Sequence, residues 1–227
     1  SPYGKECRDV WTVPQGYKLV GMDASGLELR MLAHYMNDEG YTNEILNGDI
    51  HTANQLAAGL ETRDQAKTFI YAFLYGAGDA KIGSITGGTA KDGKRLKEKF
   101  LGNTPALGRL RERVGVASGR GYVLGLDRRR VAIRSSHAAL NSLLQSAGAI
   151  IMKKALCLLD EYATIWGLDY HIIGNIHDEI QTEVREKDAE RFGRLATSCV
   201  EAAGLFYKLN CPLAGDYKVG SSWADTH

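Results

Sequence analysis

The sequence predicts an α+β fold, and three observations carry that prediction. Short apolar strand patterns, Lys18 to Met22 and His171 to Val184, lie far apart in the chain. Long helical patterns fill the space between them. No regular strand–helix–strand alternation links the two, which argues against a parallel, doubly wound sheet. With 227 residues, 44% hydrophobic and 24% charged, the composition is that of an ordinary globular chain of one large or two modest domains. There is no internal repeat or low-complexity tract, and only four prolines punctuate the chain.

Each element has a local reason. The strand at Lys18–Met22 ends on Asp23, and Leu27, Leu29, Met31, Leu32 and Ala33 give the next segment the apolar spacing of a helix. Thr62 with Gln65 three residues on is a capping-box spacing, and the helix it opens runs to about Tyr75 before Gly76-Ala77-Gly78. Lys81 to Arg120 is basic, glycine-interrupted and helical in pieces. Tyr122-Val123-Leu124 and Val131-Ala132-Ile133, flanking Gly125-Leu126-Asp127, predict a hairpin. A long helix is expected from about Ser136 to Tyr162, then a hairpin at His171–Val184 with His177-Asp178 at its tip. A charged helix from about Lys187 to Ala203 and a glycine-containing tail complete the chain.

Several function classes are disfavoured. No apolar run approaches the roughly 20 residues that span a bilayer; the longest, Gly148 to Leu159, is broken by Lys153 and Lys154, so no membrane partner is expected. Cys7, Cys157, Cys199 and Cys211 form no C-x-x-C pair and read as reduced thiols. Gly88 to Arg95 nearly matches a P-loop, but Arg95 stands where a hydroxyl should be and no strand leads into Gly88. Gly76-Ala77-Gly78 follows a helix, so a dinucleotide-binding reading fails. The formal net charge of +1 hides an asymmetry: residues 81–134 hold 14 lysines and arginines against 4 acids, and the remainder holds 14 against 23. The basic segment suits phosphate contacts or is a solvated surface.

Asp23 at a strand end and Asp178-Glu179 at a hairpin tip are, singly, ordinary turn acids. Brought together they would suit hard cations, which take a few carboxylate oxygens and leave other positions for water and phosphate. Arg63, Lys67, Tyr71 and Tyr75 fall at successive i+4 positions, a stripe of two cations followed by two rings. That order matches a triphosphate joined to a sugar and base; the alternative is a solvated basic face with its aromatics turned to the core. His137, Asn141 and Gln145 form a second polar stripe at the same spacing. Ser25-x-x-Glu28 has capping-box spacing in its own right.

Taken together, Asp23-Ala24-Ser25-Gly26-Leu27-Glu28-Leu29-Arg30, then Arg63-x₃-Lys67-x₃-Tyr71-x₃-Tyr75-Gly76, then His177-Asp178-Glu179 resemble the three polymerase motifs of family A DNA polymerases, in the family's order. The surrounding text, including Glu44 to Thr52, Ala66 to Gly78 and His137 to Ala149, resembles the T-odd phage replicative branch from about residue 17 onward. The resemblance implies an antiparallel polymerase palm in two parts, residues 1–33 and 131–227, interrupted by helical fingers over 34–130. It implies a template-directed DNA polymerase core of phage replication, acting in the cytoplasm of an infected bacterium on primer–template DNA and dNTPs. The primer 3′-hydroxyl would attack the α-phosphate by two-metal-ion phosphoryl transfer.

By the same resemblance Asp23, Asp178 and the Ala24 carbonyl would hold two Mg²⁺ ions, with Glu179 in support. His51, Arg63 and Lys67 would hold the β- and γ-phosphates, and Lys67 would serve either as proton donor to pyrophosphate or as a purely electrostatic clamp. Glu28 would be a steric gate, packed against Tyr71, that excludes a ribose 2′-hydroxyl. Tyr71 occupies a position that is Phe or Tyr in the family, and its hydroxyl would favour dideoxynucleotides. Tyr75 and Gly76 would meet the template. Arg134, His137, Asn141, Gln145 and His177 would face the primer–template end, with a solvated face the alternative for His137. Asp127-Arg128 replaces the family's usual Asp-Gly turn, and residues 110–124 are shorter than in the family. No thumb or proofreading exonuclease is recognisable, while residues 222–227 resemble a family C-terminus. A thumb and exonuclease in cis or in trans, and poor processivity without them, are therefore expected. A catalytically silent DNA-binding half of a split polymerase and a ribonucleotide-using single-subunit polymerase are the rival readings.

Overall fold

The computed structural model describes residues 3–227. In chain order its elements are α1 (Gly4–Asp9), β1 (Tyr17–Ala24), α2 (Leu27–Met36), α3 (Glu39–Asn47), α4 (Ile50–Ala58), α5 (Arg63–Leu74), α6 (Asp79–Ser84), α7 (Ala90–Asn103), α8 (Pro105–Ser118), β2 (Tyr122–Leu124), β3 (Arg130–Ala132), α9 (Ala139–Ile165), β4 (Tyr170–Ile176), β5 (Glu179–Arg185), α10 (Ala189–Phe206), β6 (Gly215–Gly220) and α11 (Trp223–Thr226). Among the described residues the strand pairings are all antiparallel, so the α+β expectation holds. The chain forms two compact units: one combines the segment ending at Leu27 with that beginning at Gly148, and the other is Glu28–Ala147.

The first unit is built on a four-stranded sheet of order β4-β5-β1-β6. Strand β1 is its spine, pairing with β5 on one side and β6 on the other. Alternation along β1 sends Val20 and Met22 to one face and Gly21 and Asp23 to the other. Helix α10 packs on β1 and β6, and its Phe192, Ala196, Cys199, Val200 and Ala203 are buried, as are Val20, Met22, Ile180 and Val184 of the strands. Each large apolar side chain so buried contributes about 1.5–3 kcal/mol. A handful therefore matches the whole net stability of a domain, about 5–15 kcal/mol. The β4–β5 hairpin turns through His177-Asp178, and His177 takes a left-handed φ of 56° in place of the expected glycine. Strand β6 and helix α11 occupy what reads in sequence only as a glycine-containing tail.

The second unit is helical apart from the β2–β3 hairpin. Its core includes a ring cluster in which Phe100 meets Phe69 edge-on at 5.1 Å and Phe73 at 5.4 Å. Phe69, Ile70 and Leu74 are buried with Ile82, Leu107 and Leu110. Lys97 Nζ bridges the Asp79 carboxylate at 2.9 Å and the Ala77 carbonyl at 2.6 Å, tying α7 to the start of α6. Residues 34–61, unresolved into elements by sequence, contain α3 and α4, each capped by an aspartate: Asp38 accepts from the Tyr41 N–H and Asp49 from the His51 N–H. The hairpin closes at Asp127-Arg128 with Arg128 at φ 64° and the Gly125 N–H on the Arg129 carbonyl. The near-P-loop segment is a loop feeding α7, capped by Thr89 and Asp92.

The units divide at 27/28 and 147/148, whereas the sequence boundaries lie at 33/34 and 130/131. Helix α2 and the start of α9 belong with the helical unit through specific bonds, including Arg113 Nη2 to the Tyr35 carbonyl at 3.0 Å and Gln145 to Glu28 at 2.6 Å. Among the described residues α9 alone is long and apolar enough to cross a bilayer by length and composition. Its Leu140, Leu144, Ala147, Ile151, Ala155 and Leu159 are buried, which accounts for that apolarity as core.

Candidate active site

In the first unit, antiparallel register brings four acids to one end of the sheet. Asp23 is directly opposite Glu179 on β5 and Asp216 on β6, and directly opposed residues share a face. Asp178, at the hairpin tip, accepts the Ala24 N–H on its own carbonyl at 2.9 Å. The Asp23 carboxyl is pushed above the usual carboxylate range by desolvation first, then by the charges of Asp178 and Glu179, with Asp216 adding to them and His227 opposing. Such clustered negative charge is costly on its own and is relieved by a bound cation. Among the described residues no three acidic, histidine or cysteine side chains converge closely enough to hold an ion by themselves. Two carboxylates with a backbone carbonyl beside them fit Mg²⁺, which is commonly held by one or two carboxylates with other oxygens completing its shell. The donor set of Asp23, Asp178 and the Ala24 carbonyl therefore suits that ion.

Glu179 differs from its neighbours. It is 6% exposed, and its carboxylate accepts hydrogen bonds from Trp223 Nε1 at 2.6 Å and Gln181 Nε2 at 2.5 Å, with His227 Nδ1 2.6 Å from its second oxygen. Asp216, Trp223 and His227 are absent from the sequence reading, because nothing in local spacing marks the tail as part of the acidic face. His177 is exposed beside Asp178.

In the second unit, α5 presents the expected stripe outward. Arg63 and Lys67 are exposed, Tyr71 is half-buried and Tyr75 is 52% exposed, while Ala66, Phe69, Ile70, Phe73 and Leu74 form the buried face. The aromatics of the stripe are thus not its core side. Its capping box is formed, with Thr62 and Gln65 bonding reciprocally. Arg63 grips Asp49 with Nε at 2.6 Å and Nη2 at 3.2 Å, and these bonds hold the Asp49 carboxyl well below its ordinary pKa. His51, the second residue of α4, lies with its ring centroid 6.3 Å from that of Tyr71. Burial and the nearby Arg63 charge lower the His51 pKa, and its buried Nδ1 has no hydrogen-bond partner. An orphaned buried nitrogen beside Arg63 and Lys67 fits an oxygen-rich anion.

Glu28 receives Gln145 Nε2 at 2.6 Å, the same nitrogen meets the Tyr75 hydroxyl at 3.3 Å, and burial together with a Glu28 hydrogen bond raises the Tyr75 pKa. Gly76 follows at φ 75°, where a Cβ would come within 2.8 Å of the His137 carbonyl. His137 sits in a 3₁₀ turn, Ser136–Ala138, ahead of α9. Asn141 is half-buried on α9, and Arg134 is exposed just after β3.

Residues 1–225 match the family model for DNA polymerase family A. The DNA-directed DNA polymerases of Enterobacteria phage T3 and Escherichia phage T7 are each 44% identical over 260 residues, covering all of this chain and 37% of those proteins. That of Escherichia phage Phieco32 is 38% identical, covering 95% of this chain and 41% of its own length. The chain thus spans well under half of these relatives. A solved POL domain of Pol1 from M. smegmatis, in complex with DNA primer-template and dNTP, matches with a TM-score of 0.88 at 24% identity, over 100% of this chain and 43% of that one. The fold is that of a polymerase domain, and the chain belongs to DNA polymerase family A.

Proposed function

We propose that this chain is the palm and fingers of a template-directed DNA polymerase, adding deoxynucleotides to a primer 3′-hydroxyl in phage DNA replication within an infected bacterium's cytoplasm. The acidic unit would be the palm and the helical unit the fingers. The observation that carries the reading is the acidic end of the sheet, where Asp23 faces Glu179 and Asp216 across the register and its carboxyl is raised by desolvation first and then by the charges of Asp178 and Glu179. Identity to the T3 and T7 polymerases supports the replicative role.

Asp23, Asp178 and the Ala24 carbonyl would hold two Mg²⁺ ions. Bound there, the metal supplies Lewis-acid stabilisation of the attacking and leaving oxygens. The protein's share is binding and placement. Arg63, Lys67 and His51 bind the β- and γ-phosphates, Tyr71 and Glu28 bound the sugar, and Tyr75 with Gly76 meets the template. Asn141 and Gln145, with Arg134, His137 and His177, receive the primer–template end. Lys67 donates a proton to departing pyrophosphate or clamps it by charge; Lys67→Arg, which keeps the charge and not the transferable proton, separates the two.

Magnesium-dependent primer extension by the isolated chain tests the reading, with Asp23→Asn as control. Extension abolished in Asp23→Asn is expected; no extension by the unsubstituted chain, with DNA binding intact, would favour a silent half that needs the region its relatives carry beyond this length. Use of rNTPs as readily as dNTPs by the unsubstituted chain would favour the ribonucleotide-using alternative.

A further inference from the structure

The last turn of the described chain reaches back to the acidic site. Trp223 and His227 stand four residues apart, where α-helical spacing places side chains on one side. Both meet the Glu179 carboxylate, Trp223 Nε1 on Oε1 and His227 Nδ1 by Oε2, each at 2.6 Å. Gln181, the third donor, is itself held by Thr226 Oγ1, which donates to its Oε1 at 2.8 Å. The turn is anchored in its own right. Asp225 Oδ2 accepts from the Ser221 and Ser222 N–H groups, Ser222 Oγ donates to Asp9 at 3.0 Å, and the Trp223 N–H donates to the Trp11 carbonyl at 2.9 Å. Its seat on the sheet is Gly21, two residues before Asp23 on the same face. A Cβ at Gly21 would fall 2.6 Å from the Thr226 carbonyl.

A carboxylate offers about four lone-pair sites. Three donors fill most of those of Glu179, and charge-assisted bonds of this kind are strong when buried. We propose that Trp223 and His227 are positioning residues that pin Glu179 as a fixed anion beside Asp23 and keep it from joining Asp23 and Asp178 as a direct ligand. The device prevents a closed three-carboxylate cage. Such a cage would bind a cation before substrate arrives and would leave fewer positions for phosphate oxygens. Gln181 and Thr226 serve as the brace, and Gly21 is the backbone position that admits it.

The inference rests on the polymerase reading for the identity of the cation, and its test separates the two. Substrate-free Mn²⁺ binding by the full chain is followed by electron paramagnetic resonance for Trp223→Phe, Glu179→Gln and the double variant. Trp223→Phe keeps an aromatic ring, though a smaller one, and deletes the donor. It should tighten Mn²⁺ binding at least 3-fold, slow primer extension and raise the dNTP KM. In the Glu179→Gln background the tightening should vanish, because the two changes act through one carboxylate. Unchanged or weakened Mn²⁺ affinity at unchanged melting temperature would overturn the proposal, as would tightening that persists without the Glu179 charge. A second measurement leaves Trp223 in place. Its indole N–H resonance should lie downfield, move upfield in Glu179→Gln, and hold its downfield position when Mg²⁺ is added; release of that resonance by Mg²⁺ would show Glu179 leaving its donors for the ion and overturn the proposal. Mn²⁺ binding unaltered by Asp23→Asn would instead count against the polymerase reading and leave the resonance test of the clamp intact.

Discussion

Gln145 Nε2 donates to Glu28 Oε1 at 2.6 Å, joining residues 117 apart in sequence, and the same nitrogen meets the Tyr75 hydroxyl at 3.3 Å. The carboxylate expected to gate the sugar is therefore held from two helices, and its position depends on both.

Glu28→Ala should lower discrimination against ribonucleotides by about 10-fold or more, since forcing an extra group into a filled site costs about 1–3 kcal/mol. Gln145→Ala should move the same way by less, because Tyr75 still contacts Glu28. The measurement is the ratio of dNTP to rNTP incorporation efficiencies. Equal ratios in all three proteins would remove Glu28 from the gate.

Tyr71 carries its hydroxyl half-buried on the outward stripe of α5. It is expected to support nearly equal use of dideoxy- and deoxynucleotides, and Tyr71→Phe should depress terminator use by about 10-fold or more, the scale of one hydrogen bond to a charged group. Competition sequencing reads this directly, and an unchanged terminator pattern would sink the idea.

Gly76 has φ 75° and no room for a Cβ against the His137 carbonyl. Gly76→Ala should cost about 1–3 kcal/mol from the strained backbone alone. Urea unfolding followed by circular dichroism would register this as a lower midpoint at unchanged slope. A midpoint within error of the parent's would mean that the turn relaxes freely.

Asp49 tests a pH dependence. Its folded pKa is depressed by the Arg63 hydrogen bonds first and by Thr52 next. A depressed carboxylate stabilises the fold above its unfolded pKa, about 3.9, and that contribution fades as pH falls toward the folded value. Asp49→Asn should therefore be less stable than the parent at pH 7, with the gap narrowing below about pH 4. Denaturant midpoints at pH 7 and pH 3 measure it; a gap that is constant with pH would assign the loss to capping alone. The pair is solvent-exposed, so the effect is small and should shrink further in salt.

The basic segment, residues 81–134, gives the proposed DNA binding a testable signature. Affinity for primed template should fall steeply with salt and depend little on sequence, as phosphate contacts release counterions without reading bases. Fluorescence anisotropy across a salt series gives the slope; a flat response would mark the segment as mere solvated surface.

Much of the α5 stripe is visible in sequence because its parts are local. The i+4 spacing of Arg63, Lys67, Tyr71 and Tyr75 needs only helix geometry, and the Thr62–Gln65 cap guarantees the start of that helix. Other parts are not local. Asp216 lies on a short, glycine-bounded strand whose pairing to β1 follows no sequence pattern. Arg63 looks like a free cation until α4 folds back and delivers Asp49. His177 turns a hairpin without glycine, a conformation that the pairing of β4 with β5 imposes.

By itself the sequence determined which side chains carry chemistry, their order and their local spacing, since helix and strand periods are properties of the chain alone. Tertiary structure alone decided that Asp23 faces Glu179 and Asp216, and that Glu179 is clamped by Trp223 and His227. Strand register and the seating of α11 on Gly21 are set by packing between segments about 150 to 200 residues apart, a distance over which no local pattern carries information.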